Sequence, residues 1–269
     1  MDQNTPDLAR QKIEMLMAMQ LRCYDDGKRF TEMAKLDKIR EALSGTSYNE
    51  TAGYLFRLYS KVPLESLDPA GIIVLSTHAD NVKAIKHPFV KAGGKNVLQG
   101  TFDNSATNAA ALYLMKKGSL PDNVLVAFTG NEEYGMRGAA ELSHYLYTML
   151  GIQPFYIALD VTDIGYGKKQ FSIENTLSLT RTELNSLIKV AQGAALDGYV
   201  YPNALPDEAH QYMRMGAKCC SLCVPTKGPM HSDSGCKMEA TAYLGYIDVL
   251  EHIAQHFSLL LDASTLNMR

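Results

Sequence analysis

Four segments of the chain are apolar without alternation: Ile72-Ile73-Val74-Leu75, Val124-Leu125-Val126-Ala127-Phe128, Tyr156-Ile157-Ala158-Leu159 and Cys220-Ser221-Leu222-Cys223-Val224. A strand covered on both faces reads this way, because neither set of alternate side chains meets water. Between and after these runs, apolar residues recur at helical spacing over 106–117, 138–150, 182–196, 207–215 and 239–261. Strand alternating with helix predicts an α/β fold, a mostly parallel sheet covered by helices. Ahead of it, Leu8, Ile13, Leu16, Met17 and Met19, then Met33, Leu36, Ile39 and Leu43, predict two helices within 5–43, with a turn near Asp25-Asp26-Gly27. The stretch 44–68, broken by Gly45 and Pro63, reads as irregular, and 81–102 as a loop. The expected organisation is one domain over 1–269, with 1–43 as an N-terminal helical segment.

Composition narrows the field of functions. With 269 residues, 46% hydrophobic and 20% charged, the chain can bury a sizeable core. A net charge of -3 leaves no basic surplus for a nucleic-acid backbone. Apolar runs such as 71–75 are far too short to span a bilayer, so no membrane role is expected. The opening MDQNTPDLARQK shows no secretory pattern. The cysteines, Cys23, Cys219, Cys220, Cys223 and Cys236, are odd in number and lack framework spacing. They read as small buried hydrophobes in a reducing, cytoplasmic compartment.

Ligands of open α/β sheets gather beyond the carboxyl ends of the strands. The first run ends in Thr77-His78-Ala79-Asp80, the second in Gly130-Asn131-Glu132-Glu133 and the third in Asp160. The fourth leads through a short loop to His231-Ser232-Asp233, and Asp103 stands just before a helix. Singly, each has a plainer reading: His78 as a structural histidine, Asp103 as a helix cap, Glu132-Glu133 as an exposed acidic loop, Asp160 as a turn residue, His231 as a solvated one. Together they would be five independent accidents at one sheet edge. Zinc takes imidazole nitrogen and carboxylate oxygen, and a two-metal site needs a carboxylate shared between the ions. Asp103 can bridge, His78 and Asp160 can complete one site, and Glu133 and His231 the other. Asp80 can fix the His78 tautomer, and Glu132 can serve as general base.

The segments STHAD (76–80), GTFDNSATNAAAL (100–112), GNEEYGMRGA (130–139), ALDVTD (158–163) and PMHSDSG (229–235) resemble, in that order, the co-catalytic di-zinc exopeptidase superfamily. EEYGMRGA, MHS and the stretch 205–225 are most similar to its glutamyl aminopeptidase and endoglucanase-like branch, without that branch's inserted β-rich domain. The resemblance implies a mixed, mostly parallel sheet with helices on both faces. It implies His78, Asp103, Glu133, Asp160 and His231 as metal ligands, Glu132 as catalytic base and Asp80 as the residue orienting His78. It also implies a cis peptide after Asp103.

The expected activity is a metallo-aminopeptidase acting on a peptide or small amide, with two divalent ions, zinc first and manganese or cobalt also fitting. A carboxypeptidase or an N-acyl amino-acid deacylase would use the same residues. The short region before Ile72 shows no obvious pair of edge strands; either 54–62 supplies an edge strand or the sheet is smaller, and this also motivates a non-catalytic scaffold. A homo-oligomer is compatible, though absence of the inserted domain weighs against large cages. A glycosidase pair at Glu132 and Glu133 is disfavoured, since neighbours on an extended segment face opposite sides. A serine hydrolase is disfavoured too, for want of a G-x-S-x-G elbow.

Overall fold

The computed structural model describes residues 5–23, 34–194 and 196–266, with side chains described from 7 to 256 within those bounds. The four apolar runs form β3 (Ile73–His78), β6 (Val124–Thr129), β7 (Phe155–Thr162) and β10 (Cys219–Lys227). They lie side by side in the order β6-β3-β7-β10, all parallel. The flanking strands pair antiparallel, with one exception. A hairpin of β1 (Asn49–Ala52) and β2 (Phe56–Ser60) joins β6. On the other side β10 forks. Its middle pairs with β8 (Phe171–Glu174), which carries β9 (Gly198–Tyr201), the exception, running parallel to it. Its end pairs with β11 (Cys236–Glu239), followed by β5 (Val97–Gly100) and β4 (Val90–Gly94). The result is the mixed, mostly parallel sheet expected, parallel through its centre.

Helices cover both faces. On one face α1 (Thr5–Ala18), α2 (Ala34–Leu43), α3 (Ser105–Lys117), α5 (Arg181–Gly193) and α7 (Ala240–Leu266) bury Leu16, Leu36, Leu112, Leu187 and Ile247. On the other, α4 (Arg137–Leu150) and α6 (Glu208–Arg214) bury Leu142, Leu146 and Tyr212. The turn expected near Asp25-Asp26-Gly27 lies outside the described residues. The cysteines are all free and buried, as their apolar surroundings implied.

Two expectations are corrected. The stretch 44–68 is not irregular; it holds the β1–β2 hairpin, whose β1 is largely exposed and so carries little apolar signal. The loop expected over 81–102 contains β4, largely exposed, and β5, half-buried, which extend the smaller wing of the sheet.

Helix α3 is buried from Ser105 through Met115 and runs through the centre of its face. Its polar first turn is tied to the strands beneath. Asn104 Nδ2 donates to the Leu159 carbonyl at 2.7 Å, and Asn108 Nδ2 donates to that of His78 at 2.8 Å. Thr107 and Thr77 share a hydroxyl bond of 2.8 Å. Gly118, at φ 71°, ends the helix in the left-handed conformation that glycine adopts without a Cβ clash.

The segment before α4 is held as tightly. Gly138 N donates to Gly130 O at 3.0 Å, and Gly130 N to Leu55 O at 2.8 Å. A Cβ on Gly138 would lie 2.5 Å from Gly130 O and 2.6 Å from Leu55 O, both rigid backbone atoms. Gly138→Ala should therefore cost about 1–3 kcal/mol in urea unfolding, the usual range for overpacking. A loss below about 0.5 kcal/mol, the noise of surface substitutions, would show that the contact relaxes freely.

Candidate metal centre

The parallel strands end on one side of the sheet, and there the residues singled out from the sequence meet. His78 ends β3 and Asp160 lies in the last part of β7. Asp103 precedes α3, joined to Asn104 by a cis peptide bond. Glu132 and Glu133 lie on a 3-10 turn after β6, and His231 in the loop between β10 and β11. Two triads emerge, His78-Asp103-Asp160 and Asp103-Glu133-His231, each with donor atoms within 4.8 Å of one another. Asp103 belongs to both. Its Oδ1 lies 3.0 Å from His78 Nε2, and its Oδ2 lies 2.9 Å from His231 Nε2. Asp160 Oδ1 is 3.7 Å from His78 Nε2, and Glu133 Oε2 is 3.7 Å from His231 Nε2.

Asp103 does not cap α3; Asn104 occupies the cap position, with no side-chain cap bond. Asp80 is fully buried, and its Oδ1 is 3.5 Å from His78 Nδ1, close but not bonded. The same oxygen accepts the Glu132 N–H at 3.3 Å, so Asp80 links the first strand end to the second. Glu132 and Glu133 are not extended with opposed side chains. Their 3-10 turn aims both carboxylates at His78, with which they form a third close group. Both sit on one wall of the cavity, so they still cannot flank a glycosidic bond from opposite sides. Asn131 and Met136, at φ 61° and 57°, bracket the turn in the left-handed region that side chains avoid, strain typical of functional loops.

The loops are clamped together by residues that the sequence alone did not single out. Asn81 Nδ2 donates to Asp103 O at 2.8 Å, while its backbone N–H donates to Cys23 O at 2.7 Å. Its Oδ1 accepts from Cys23 N at 3.1 Å, so the N-terminal segment is tied through Asn81 to the backbone of Asp103. Asp233 Oδ1 accepts from Lys86 N at 2.6 Å and His87 N at 3.1 Å, holding the His231 loop against the loop after β3. Glu208, 3% exposed, is bonded by Ser76 Oγ at 2.8 Å and by Thr129. Asn81, Asp233 and Glu208 lie in polar stretches of the sequence, where nothing local marks them.

Charge is shared unequally. Burial opposes ionisation of Asp103, but the His231 and His78 contacts outweigh it and hold its carboxyl well below the usual range. Burial pushes Glu132 up to about 9, with Asp160 and Asp103 adding like charge, and Glu133 up to about 7, with Asp103 and Asp80 doing so. Burial, with Asp103 beside it, raises Asp160 to about 6. The hydrogen bond to Asp103 raises His231 to about 9. Burial disfavours a charged His78, yet Asp103, Asp160 and Asp80 together raise it.

These residues fit divalent cations. The buried oxygens Asp103 Oδ1 and Glu133 Oε1 have no hydrogen-bond partner. The donors are imidazole nitrogens and carboxylates, the set zinc takes. A cavity of about 380 Å³ opens beside them, lined by all five triad residues and Glu132. The β1–β2 hairpin removes the reason to suspect an incomplete sheet, since the edge strands missing from the sequence pattern are present.

No protein-family model and no curated protein sequence matches the chain. Solved structures do. A TET aminopeptidase from the marine sediment archaeon Thaumarchaeota archaeon SCGC AB-539-E09 is 13% identical with a TM-score of 0.69, over 92% of this chain and 97% of that one. The Pyrococcus horikoshii TET1 peptidase, described as assembling into a tetrahedron or a large octahedral shell, is 11% identical with a TM-score of 0.67, over 91% and 99%. Aminopeptidase PepT from Bacillus cereus is 10% identical with a TM-score of 0.67, over 93% and 98%. At these identities the likeness is one of fold.

Cation binding has a pH signature. The folded metal-free chain holds extra protons on Asp160, Glu133 and the two histidines, whose folded pKa values lie above their ordinary ones. The associated stability is lost as pH rises through those values. Asp103, shifted down, contributes the opposite way only in the acid range. A divalent ion competes with those protons and is favoured as they leave. Zinc, manganese or cobalt should raise Tm by about 5–10 °C at a hundredfold excess over Kd, and more at pH 8 than at pH 5.5. Asp103→Asn should abolish most of the rise. No shift with any of these ions at pH 8 would remove the metal centre.

Proposed function

We propose that this chain is a metal-dependent aminopeptidase that hydrolyses N-terminal peptide bonds with two divalent ions, zinc first, with manganese or cobalt suited to the same donors. One observation carries the reading: two donor triads share Asp103, each of whose oxygens faces a different histidine. That is the arrangement a carboxylate-bridged ion pair needs. The names of the structures sharing its fold, aminopeptidases and a peptidase, support the choice of reaction.

In this reading His78 and Asp160 hold one ion, Glu133 and His231 the other, and Asp103 both. When bound, the ions supply Lewis acidity toward a carbonyl oxygen and lower the pKa of a water. Glu132 is free of ligand duty and projects into the same cavity. As general base it takes the proton of the attacking water, then returns it to the leaving amine. Burial and like charge push it up to about 9 before any cation is present. Positive charge nearby lowers it toward neutrality, where one group can both accept and donate. Asp80 stands 3.5 Å behind His78 and accepts the Glu132 N–H, so in this reading one carboxylate orients a ligand and positions the base.

The substrate in this reading is a peptide or small amide. The assembled forms named among proteins of this fold support a homo-oligomer. No helix among the described residues is long and apolar enough to cross a membrane.

Glu132→Gln should keep two ions per chain and lose turnover of aminoacyl substrates by about 10²–10⁴, the range of general-base catalysis. Full activity in that variant would overturn the base assignment. Glu133→Ala should lower metal content by about one ion, read by elemental analysis. Equal retention would remove Glu133 from the ligand set.

A further inference from the structure

The cavity beside the metal centre has a second pole. Its more exposed lining includes Met136, Ile164, Met230 and Leu205, the last 80% exposed, beside the exposed Asp163. It is also lined by a carboxylate outside the proposed ligand set, Glu174 on β8, which is 4% exposed. Strand register defines its position. Cys223 of β10 stands opposite Asp160 of β7 on one side and Ser172 of β8 on the other, while Ser221 stands opposite Glu174. Directly paired residues share a face, as do positions two apart on a strand. Asp160, Cys223 and Glu174 therefore share a face, with Glu174 further from the carboxyl end of β10. Two strand spacings and two residue steps put its backbone about 11 Å from that of Asp160. Cys223, between them, also lines the cavity.

Among the described residues, Glu174 is bonded by a hydroxyl and paired with no cation. Ser172 Oγ donates to its Oε1 at 2.5 Å. Burial pushes it up to about 7, and its charged neighbours, Asp207 and Asp160, add repulsion. No Lys or Arg among the described residues lines the cavity. Asp207 has other duties: it caps α6 through Ala209 N at 2.9 Å and accepts the Ser221 hydroxyl. A nearly buried carboxylate ordinarily has a paired charge. Glu174 instead faces the open volume of the cavity.

We infer that Glu174 selects a basic side chain, Lys or Arg, on the residue whose bond is cut. The long apolar stem of such a side chain lies along the methionines, Ile164 and Leu205, and its charged head ends at Glu174. This deepens the aminopeptidase reading and depends on it for the cleavage step, though not for binding.

Two matched probes test it on protein purified with zinc. L-Lysinamide and L-norleucinamide share the stem and differ in the terminal ammonium. Calorimetry should show lysinamide bound about tenfold or more tightly, and lysyl dipeptides should show a similar advantage in kcat/KM over norleucyl ones, as expected for a charge-assisted contact. Glu174→Gln should bring both ratios close to one, and Glu174→Asp should restore part of the preference, with Tm reporting that each variant is folded. Equal binding of the two probes to the wild type would overturn the inference. So would a Glu174→Gln variant that weakens both probes equally, which would mark a group holding the shared α-amine or the cavity's shape. Selective lysinamide binding without cleavage of any peptide would support the inference and sink the aminopeptidase reading. Cleavage without preference would do the reverse.

Discussion

Negative charge gathered at one end of the sheet is the constraint that the rest of the structure answers. Asp80, Asp103, Glu132, Glu133 and Asp160 converge there on two imidazoles. Two like charges 4 Å apart repel by about 4 kcal/mol at an effective dielectric of 20. Such a group is tolerable only with protons or cations among the oxygens. Asp103 takes both histidines and stays ionised, while Glu132, Glu133 and Asp160 are pushed toward the protonated form. One carboxylate able to bridge beside another that holds a proton more readily is the division of labour that amide hydrolysis by activated water requires.

Holding those charges close needs a stiff support, and the chain provides one from amides and hydroxyls. Asn81, Asn104 and Asn108 tie backbone carbonyls of three different segments together, Asp103, Leu159 and His78. On the opposite face Ser76, Thr129, Glu208 and Tyr212 form a second buried polar group, and Tyr212 stacks on Tyr156 at 4.0 Å. Networks of this kind stabilise when every member is bonded and cost heavily when one is removed. Behind the site, Lys35 is fully buried with no hydrogen-bond partner for its Nζ, and burial lowers its pKa against the attraction of Cys23, Asp80 and Asp103. The N-terminal helices thus contribute both packing and a basic group to the side of the site away from the cavity.

The central strands were legible because burial on two faces leaves an unbroken apolar run. The edge strands were not. β1, β4 and β9 are largely exposed, so their side chains need not be apolar and no period marks them. β8 is fully buried, yet Phe171-Ser172-Ile173-Glu174 alternates as a half-exposed strand would, because its polar face meets other polar groups and the cavity rather than solvent. The Glu132-Glu133 segment was misread for a related reason. An acidic pair after a strand carries no local mark of a 3-10 turn, and the left-handed Asn131 and Met136 that make the turn are not residues that announce it.

By itself the sequence determined the order of the central strands and helices along the chain, and the donor types at the strand ends, because hydrophobic period and ligand chemistry are local properties. The positions of His78, Asp103, Glu132, Glu133, Asp160 and His231 could be named from it. Only the tertiary structure decided that Asp103 turns one oxygen to each histidine, that Asp80 reaches the Glu132 backbone, and that Glu174 lines the same cavity as those residues. Those facts depend on strand register and on contacts between residues far apart in the chain. A shift of one residue would turn each strand's side chains to the other face, and no local pattern records which register the packed sheet adopts.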